Sequence, residues 1–155
     1  MININIISNN KEWYRYIPNP NKLIGEKICN INKKFNKFKK KKIFFTLLLS
    51  GENEIRKLNK NFRKKNKSTD VLSFPFYTKK DLKKKLLQEK EIYIGDIIIN
   101  LTKIKNKNDN KYFKMELDKL WIHGLVHLFG YDHKKDKDFS KMLKVEKKFL
   151  SFINK

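Results

Sequence analysis

All three histidines of this 155-residue chain lie within eleven residues, His123 to His133, in the segment HGLVHLFGYDH. His123 and His127 are four apart, so in a helix both imidazoles project from one face and can take adjacent corners of a coordination polyhedron. Gly130 follows the apolar stretch and can adopt the left-handed conformation that ends a helix, folding the chain back to bring His133 to the same point. Three neutral imidazoles leave one position open for water. One Zn2+ per chain suits such a nitrogen set, although nickel, copper, cobalt and iron also accept imidazole. A helix ending at a glycine turn needs no metal, and a lone histidine on it is ordinarily solvated; three at this spacing point to a site.

What such a metal would do is narrowed by a missing residue. Zinc peptidases of the H-E-x-x-H kind carry a general-base glutamate directly after the first histidine. Position 124 is Gly124, with no side chain to take a proton, so a peptidase would need another base. Phosphodiester chemistry becomes the more attractive reading, since a metal can activate water and polarise a phosphoryl oxygen. Glycine inside a helix costs about 1 kcal/mol against alanine. Its presence implies close packing at that turn, passage of substrate over it, or accommodation of Trp121 or Leu128.

The charge agrees with a phosphate-rich partner. The chain has 38 Lys and Arg against 16 Asp and Glu, a formal +22, which favours RNA, DNA or acidic membranes. Its richness in Lys, Asn, Ile and Phe is also what an AT-rich coding sequence produces, so the arginines carry more information. Only Arg15, Arg56 and Arg63 occur, and Arg63 sits in the basic run NFRKKNK ahead of an apolar strand. Its planar fork suits bidentate contact with a phosphate.

About 150 residues make one domain with a real core. Cys29 is the only cysteine, so no internal disulfide or thiolate-rich zinc cluster forms; the residue is expected to be structural, and cytosolic conditions fit. ININII is too short for a signal-peptide core, and no apolar run approaches a membrane span. The elements that must position the histidines read as follows. Residues 2–7 form a strand, 21–38 a helix through Leu23, Ile24, Ile28, Ile31, Phe35 and Phe38, and KKIFFTLLL a buried strand. Ser50 is placed to cap the next helix, whose Ile55, Leu58 and Phe62 cover one side of a sheet. DVLSFPFY is a strand with Pro75 marking an edge or an end, KKDLKKKLLQEK a charged loop or short helix, and EIYIGDIIIN a strand in which Gly95 marks a bulge or a close approach. LTKIKNKNDNKYF reads as a turn and an irregular link. A buried helix from about Met115 to Phe129 carries the first two histidines, and a closing helix from Asp136 packs through Phe139, Leu143, Val145, Phe149 and Leu150. The expected fold is α+β, or α/β-like: a single domain with a central mixed sheet of about four strands packed against helices, the metal-binding helix near the C-terminus.

Three stretches together resemble the YbeY family, bacterial single-domain endoribonucleases also called rRNA maturation factors. They are HGLVHLFGYDH, with Val126 where the family usually has leucine; EIRKLNKNFRKKNKSTDVLSFPF, with Arg63 on the family's functional arginine; and IGDIIIN, with its G-D-I strand at Gly95 to Ile97. The resemblance runs through most of the chain and implies one domain over residues 1–155. It implies one zinc held by His123, His127 and His133, and a single-strand-specific endoribonuclease acting in 16S rRNA 3′-end maturation and ribosome quality control. The implied partners are rRNA, the small subunit or assembled ribosome, and ribosomal or assembly-factor proteins, in the cytoplasm and without a membrane. The family commonly has glycine after that arginine, where this chain has Lys64.

On this reading Arg63 holds a nonbridging oxygen, with Lys64 and Lys65 as further substrate contacts. Asp132 is a proton acceptor or a carboxylate orienting a ligand imidazole. Asp96 could do either or simply cap backbone near the bulge, and Tyr131 could stack on a base or belong to the core. The substrate's own 2′-hydroxyl is an alternative nucleophile to water. Two other classes stay open: a metal-dependent peptidase, and a noncatalytic ribosome-associated protein with a structural zinc.

Overall fold

The computed structural model describes residues 1–154. Its order is β1 (Ile2–Ser8), α1 (Trp13–Tyr16), α2 (Pro20–Lys34), a 3-10 turn at Asn36–Phe38, β2 (Lys42–Ser50), α3 (Glu52–Arg63) and β3 (Val71–Pro75). There follow α4 (Lys79–Gln88), β4 (Glu91–Asn100), a 3-10 turn at Leu101–Lys103, α5 (Asn110–Leu128) and α6 (Asp136–Ile153). The four strands lie in the order β1-β2-β4-β3, with β1, β2 and β4 parallel and β3 antiparallel to β4. This is the mixed sheet expected, packed against helices.

Strand alternation sends Leu72 and Ile98 to one face, where they pack on Ile55 of α3. Ile97 and Ile99 face the larger core, which α2, α5 and α6 close with Ile24, Trp121, Leu125 and Phe149. The buried β4 run is a near-continuous hydrophobic strand because both faces are covered. Pro75 ends β3, which is an edge strand, so its missing N–H breaks no ladder. At Gly95 both expected features occur: the β2–β4 register shifts beside it, and a Cβ there would lie 2.2 Å from the Phe74 carbonyl oxygen.

Several expectations are corrected. The first long helix stops at Lys34, where extended Phe35 ends it, and Phe38 returns to the core from a separate turn. Gly51, not Ser50, stands at the N-terminus of α3; buried Ser50 ends β2 and donates its hydroxyl to Glu54. Phe62 is exposed, meeting Phe74 of the edge strand edge-on. Of the two forms expected for the charged segment after β3, loop or short helix, it is the helix α4, anchored by buried Leu82. The histidine helix starts five residues earlier than its apolar pattern, at Asn110, because the Asp109 side chain accepts from the amides of Lys111 and Tyr112. In α6 the inward stripe is Met142, Phe149 and Ile153, leaving Phe139 and Leu143 exposed. Cys29, expected to be structural, is exposed on α2.

Candidate metal centre

Gly124 brings α5 down onto the sheet: an added Cβ would stand 2.7 Å from Ile97 Cγ2. The glycine is buried, so the close approach serves β4 rather than Trp121, Leu128 or passing substrate. One residue before and three after, His123 and His127 leave the helix on a half-exposed face. The helix then ends in a Schellman turn. The Gly130 amide donates to His127 O (2.9 Å), the Tyr131 amide to Val126 O (3.3 Å), and Gly130 has φ +92°. The reversal carries His133 back, so that one ligand atom from each histidine lies within 4.8 Å of the others. The cluster therefore spans the end of α5 and the turn after it.

Both helical imidazoles are held from behind. His123 Nδ1 lies 2.6 Å from Glu146 Oε1 on α6, and His127 Nδ1 lies 2.9 Å from the Tyr131 carbonyl oxygen. Each partner is an acceptor, so each Nδ1 carries the proton and each Nε2 presents a lone pair. Those two Nε2 atoms are 3.1 Å apart. Bare lone pairs at that distance repel unless a cation lies between them, and a tetrahedral zinc with Zn–N near 2.05 Å sets its nitrogens about 3.3 Å apart. Burial, aided by His123, lowers the His127 pKa below its usual value despite the opposing Tyr131 carbonyl, keeping that imidazole neutral and able to ligate. The donor set fits a metal.

Sequence reasoning missed Glu146. It stands 23 residues from His123 among the acids and lysines of α6, and only the packing of α6 on α5 brings it in. The sole available signal was general: ligand histidines need a second acceptor. Asp132 accepts the His133 amide at 2.7 Å, and Lys134 lies 3.8 Å from its other oxygen. Asp96 projects to the face opposite α5 and accepts from the Tyr93 hydroxyl at 2.6 Å, so it stands outside the centre. Tyr131 is half-buried and packs on the core under Lys79, whose Nζ is 5.1 Å from the ring centre.

Arg63 reaches the free edge of β3, where Nη2 donates to Ser73 O at 3.2 Å. Ser73 pairs with Ile97, the residue beneath Gly124, so Arg63 occupies the same row of the sheet as the histidine helix without contacting an imidazole among its described hydrogen bonds. Lys64 takes the left-handed turn itself, at φ 59°, where glycine was expected for the family. Exposed Lys64 and Lys65 follow in a loop fixed by buried Asn59, whose amide donates to Lys67 O at 2.9 Å. Glu52 anchors the loop's far end by accepting from Ser68, Asn100 and Thr102. These bonds, Ser68 foremost, pull its carboxyl to about 2.

A family model described as Endoribonuclease YbeY matches residues 7–154. The Endoribonuclease YbeY of Pelagibacter ubique is 44% identical over 99% of this chain and 97% of its own length. That of Buchnera aphidicola from Acyrthosiphon pisum is 38% identical over 75% of this chain and 72% of its own. A solution structure from Thermotoga maritima superposes with a TM-score of 0.59 and 28% identity, covering 99% of this chain and 89% of that one. With the family match, a relative aligned over nearly its full length and a common fold all in agreement, this chain belongs to the YbeY family.

Proposed function

We propose that the chain is a single-strand-specific, zinc-dependent endoribonuclease, one domain over residues 1–155, acting in 16S rRNA 3′-end maturation and ribosome quality control. The observation that carries it is the pair of Nε2 atoms 3.1 Å apart, each ring fixed through its Nδ1. The names of the relatives support the RNA-cleaving assignment. His123, His127 and His133 would hold one zinc ion. When bound, it supplies Lewis acidity, acidifying water and drawing charge from a phosphoryl oxygen. Glu146 and the Tyr131 carbonyl keep two imidazoles aimed. Arg63 spends one N–H on Ser73 O and keeps its others for a nonbridging phosphate oxygen, with Lys64 and Lys65 for neighbouring phosphates. Asp132 stands next to the third ligand as proton acceptor for water or for the substrate's 2′-hydroxyl. Buried Gly124 offers no base and gives a peptidase reading no support. The substrate is rRNA in the small subunit or assembled ribosome, met with ribosomal or assembly-factor proteins in the cytoplasm. No described helix is long and apolar enough to cross a membrane.

The test incubates metal-loaded protein with ribosomal RNA and with assembled subunits and maps the new ends, with His127→Ala as control. New ends from the parent protein alone support the reading, and 2′,3′-cyclic phosphate ends assign the nucleophile to the 2′-hydroxyl. Identical ends from both proteins would remove the metal from the reaction.

A further inference from the structure

Two recesses flank the histidine centre, and their chemistry differs. At His123 a hollow of about 460 Å³ is lined by Asp70 and Glu146 together with Lys119 and Lys147, so its charges offset. At Tyr131 a groove of about 690 Å³ runs between α4, α6 and the 3-10 turn after α2. Its floor is apolar, with Leu86, Phe129 and Phe149, and five lysines line it: Lys37, Lys41, Lys79, Lys83 and Lys148. No acidic side chain lines it among the described residues. Phe38 and Phe129, both half-buried, lie nearly parallel there with ring centres 5.6 Å apart.

Tyr131 joins groove and centre. Its ring lines the groove beneath Lys79, while its carbonyl oxygen holds His127 Nδ1. The groove therefore adjoins the turn whose backbone holds His127. Unstacked nucleotides present the complementary pattern, apolar base faces between anionic phosphates, and sequence-independent single-strand sites combine cationic rims with apolar and aromatic walls in this way. A volume of about 690 Å³ holds one or two nucleotides.

We propose that this groove is a subsite for one or two unstacked nucleotides of a single RNA strand, next to the scissile position; the placement rests on the nuclease reading above. The lysines take the phosphates, and the floor takes the bases. A duplex, whose base faces are already stacked, gains only from the lysines.

The test compares affinity for an eight-nucleotide single-stranded RNA and for its duplex, using metal-free protein so that nothing is cut. The parent is expected to prefer the single strand by about tenfold, the worth of one stacked base. Leu86→Asp and Leu87→Asp should abolish that preference; Leu87 is 79% exposed, so its replacement leaves folding intact even if Leu86→Asp does not. Lys22→Ala, an equal charge change at an exposed position of α2, should weaken both RNAs alike and keep the ratio. An unchanged ratio in Leu87→Asp and folded Leu86→Asp would overturn the subsite and leave the groove to an acidic protein partner. Because binding is read without cleavage, a protein that shows the preference yet cuts no RNA when metal-loaded refutes the nuclease reading while the groove stands as an RNA site.

Discussion

Replacing Glu146 isolates the contact that aims the first ligand. Its side chain is 19% exposed and its Oε1 lies 2.6 Å from His123 Nδ1. A hydrogen bond to a charged group contributes about 1.5–3 kcal/mol and a neutral one about 0.5–1.5. Glu146→Gln keeps an acceptor but removes the charge, a difference of about 1–1.5 kcal/mol, or roughly tenfold in zinc affinity. Glu146→Ala also frees the ring to rotate, and loss of such an outer partner costs about 10–100-fold. Zinc affinity is read by competition with a chelating dye, with Lys147→Ala as the neighbouring control and thermal melting of the metal-free proteins to confirm folding. The order parent, Gln, Ala is expected. If Glu146→Ala binds zinc within about twofold of the parent, the carboxylate does not hold the ligand and the reasoning from Nδ1 to Nε2 fails.

Gly124→Ala should destabilise the chain by up to about 2 kcal/mol in denaturant titration, since overpacking costs about 1–3 and helix propensity returns about 1. Combining it with Ile97→Ala should cost less than the sum of the two single changes, because the clash is with Ile97. Lys64→Gly should stabilise by about 0.5–1 kcal/mol, relief of the left-handed strain exceeding glycine's entropy cost. Glu52 has its folded pKa depressed from 4.5 to about 2, so the stability it contributes is full above about 4.5 and is lost as pH falls toward 2. Glu52→Gln should therefore flatten that part of the acid-unfolding profile.

Where the chain's pattern is local, structure was legible in it. EIYIGDIIIN is β4 residue for residue, because its near-continuous apolar run fits a strand covered on both faces. The i, i+4 histidines and Gly130 predicted the helix, its end and the return of His133, all set by backbone geometry within eleven residues. The first turn of α5 was hidden because Phe113 is the one buried residue between Asn110 and Lys114 and the start rests on a side-chain cap. Phe139 and Leu143 misled because α6 has apolar residues on more than one stripe, and only its docking on α2 and α5 selects the inward one. Glu146 and the lysine-lined groove depend on which helices meet in space, which no spacing along the chain reports.

The central claim is that His123, His127 and His133 form one metal site. Elemental analysis of purified protein, parent against the triple alanine variant, tests it most directly. The account predicts close to one zinc-like ion per parent chain and essentially none in the folded variant; equal metal content in the two would contradict it.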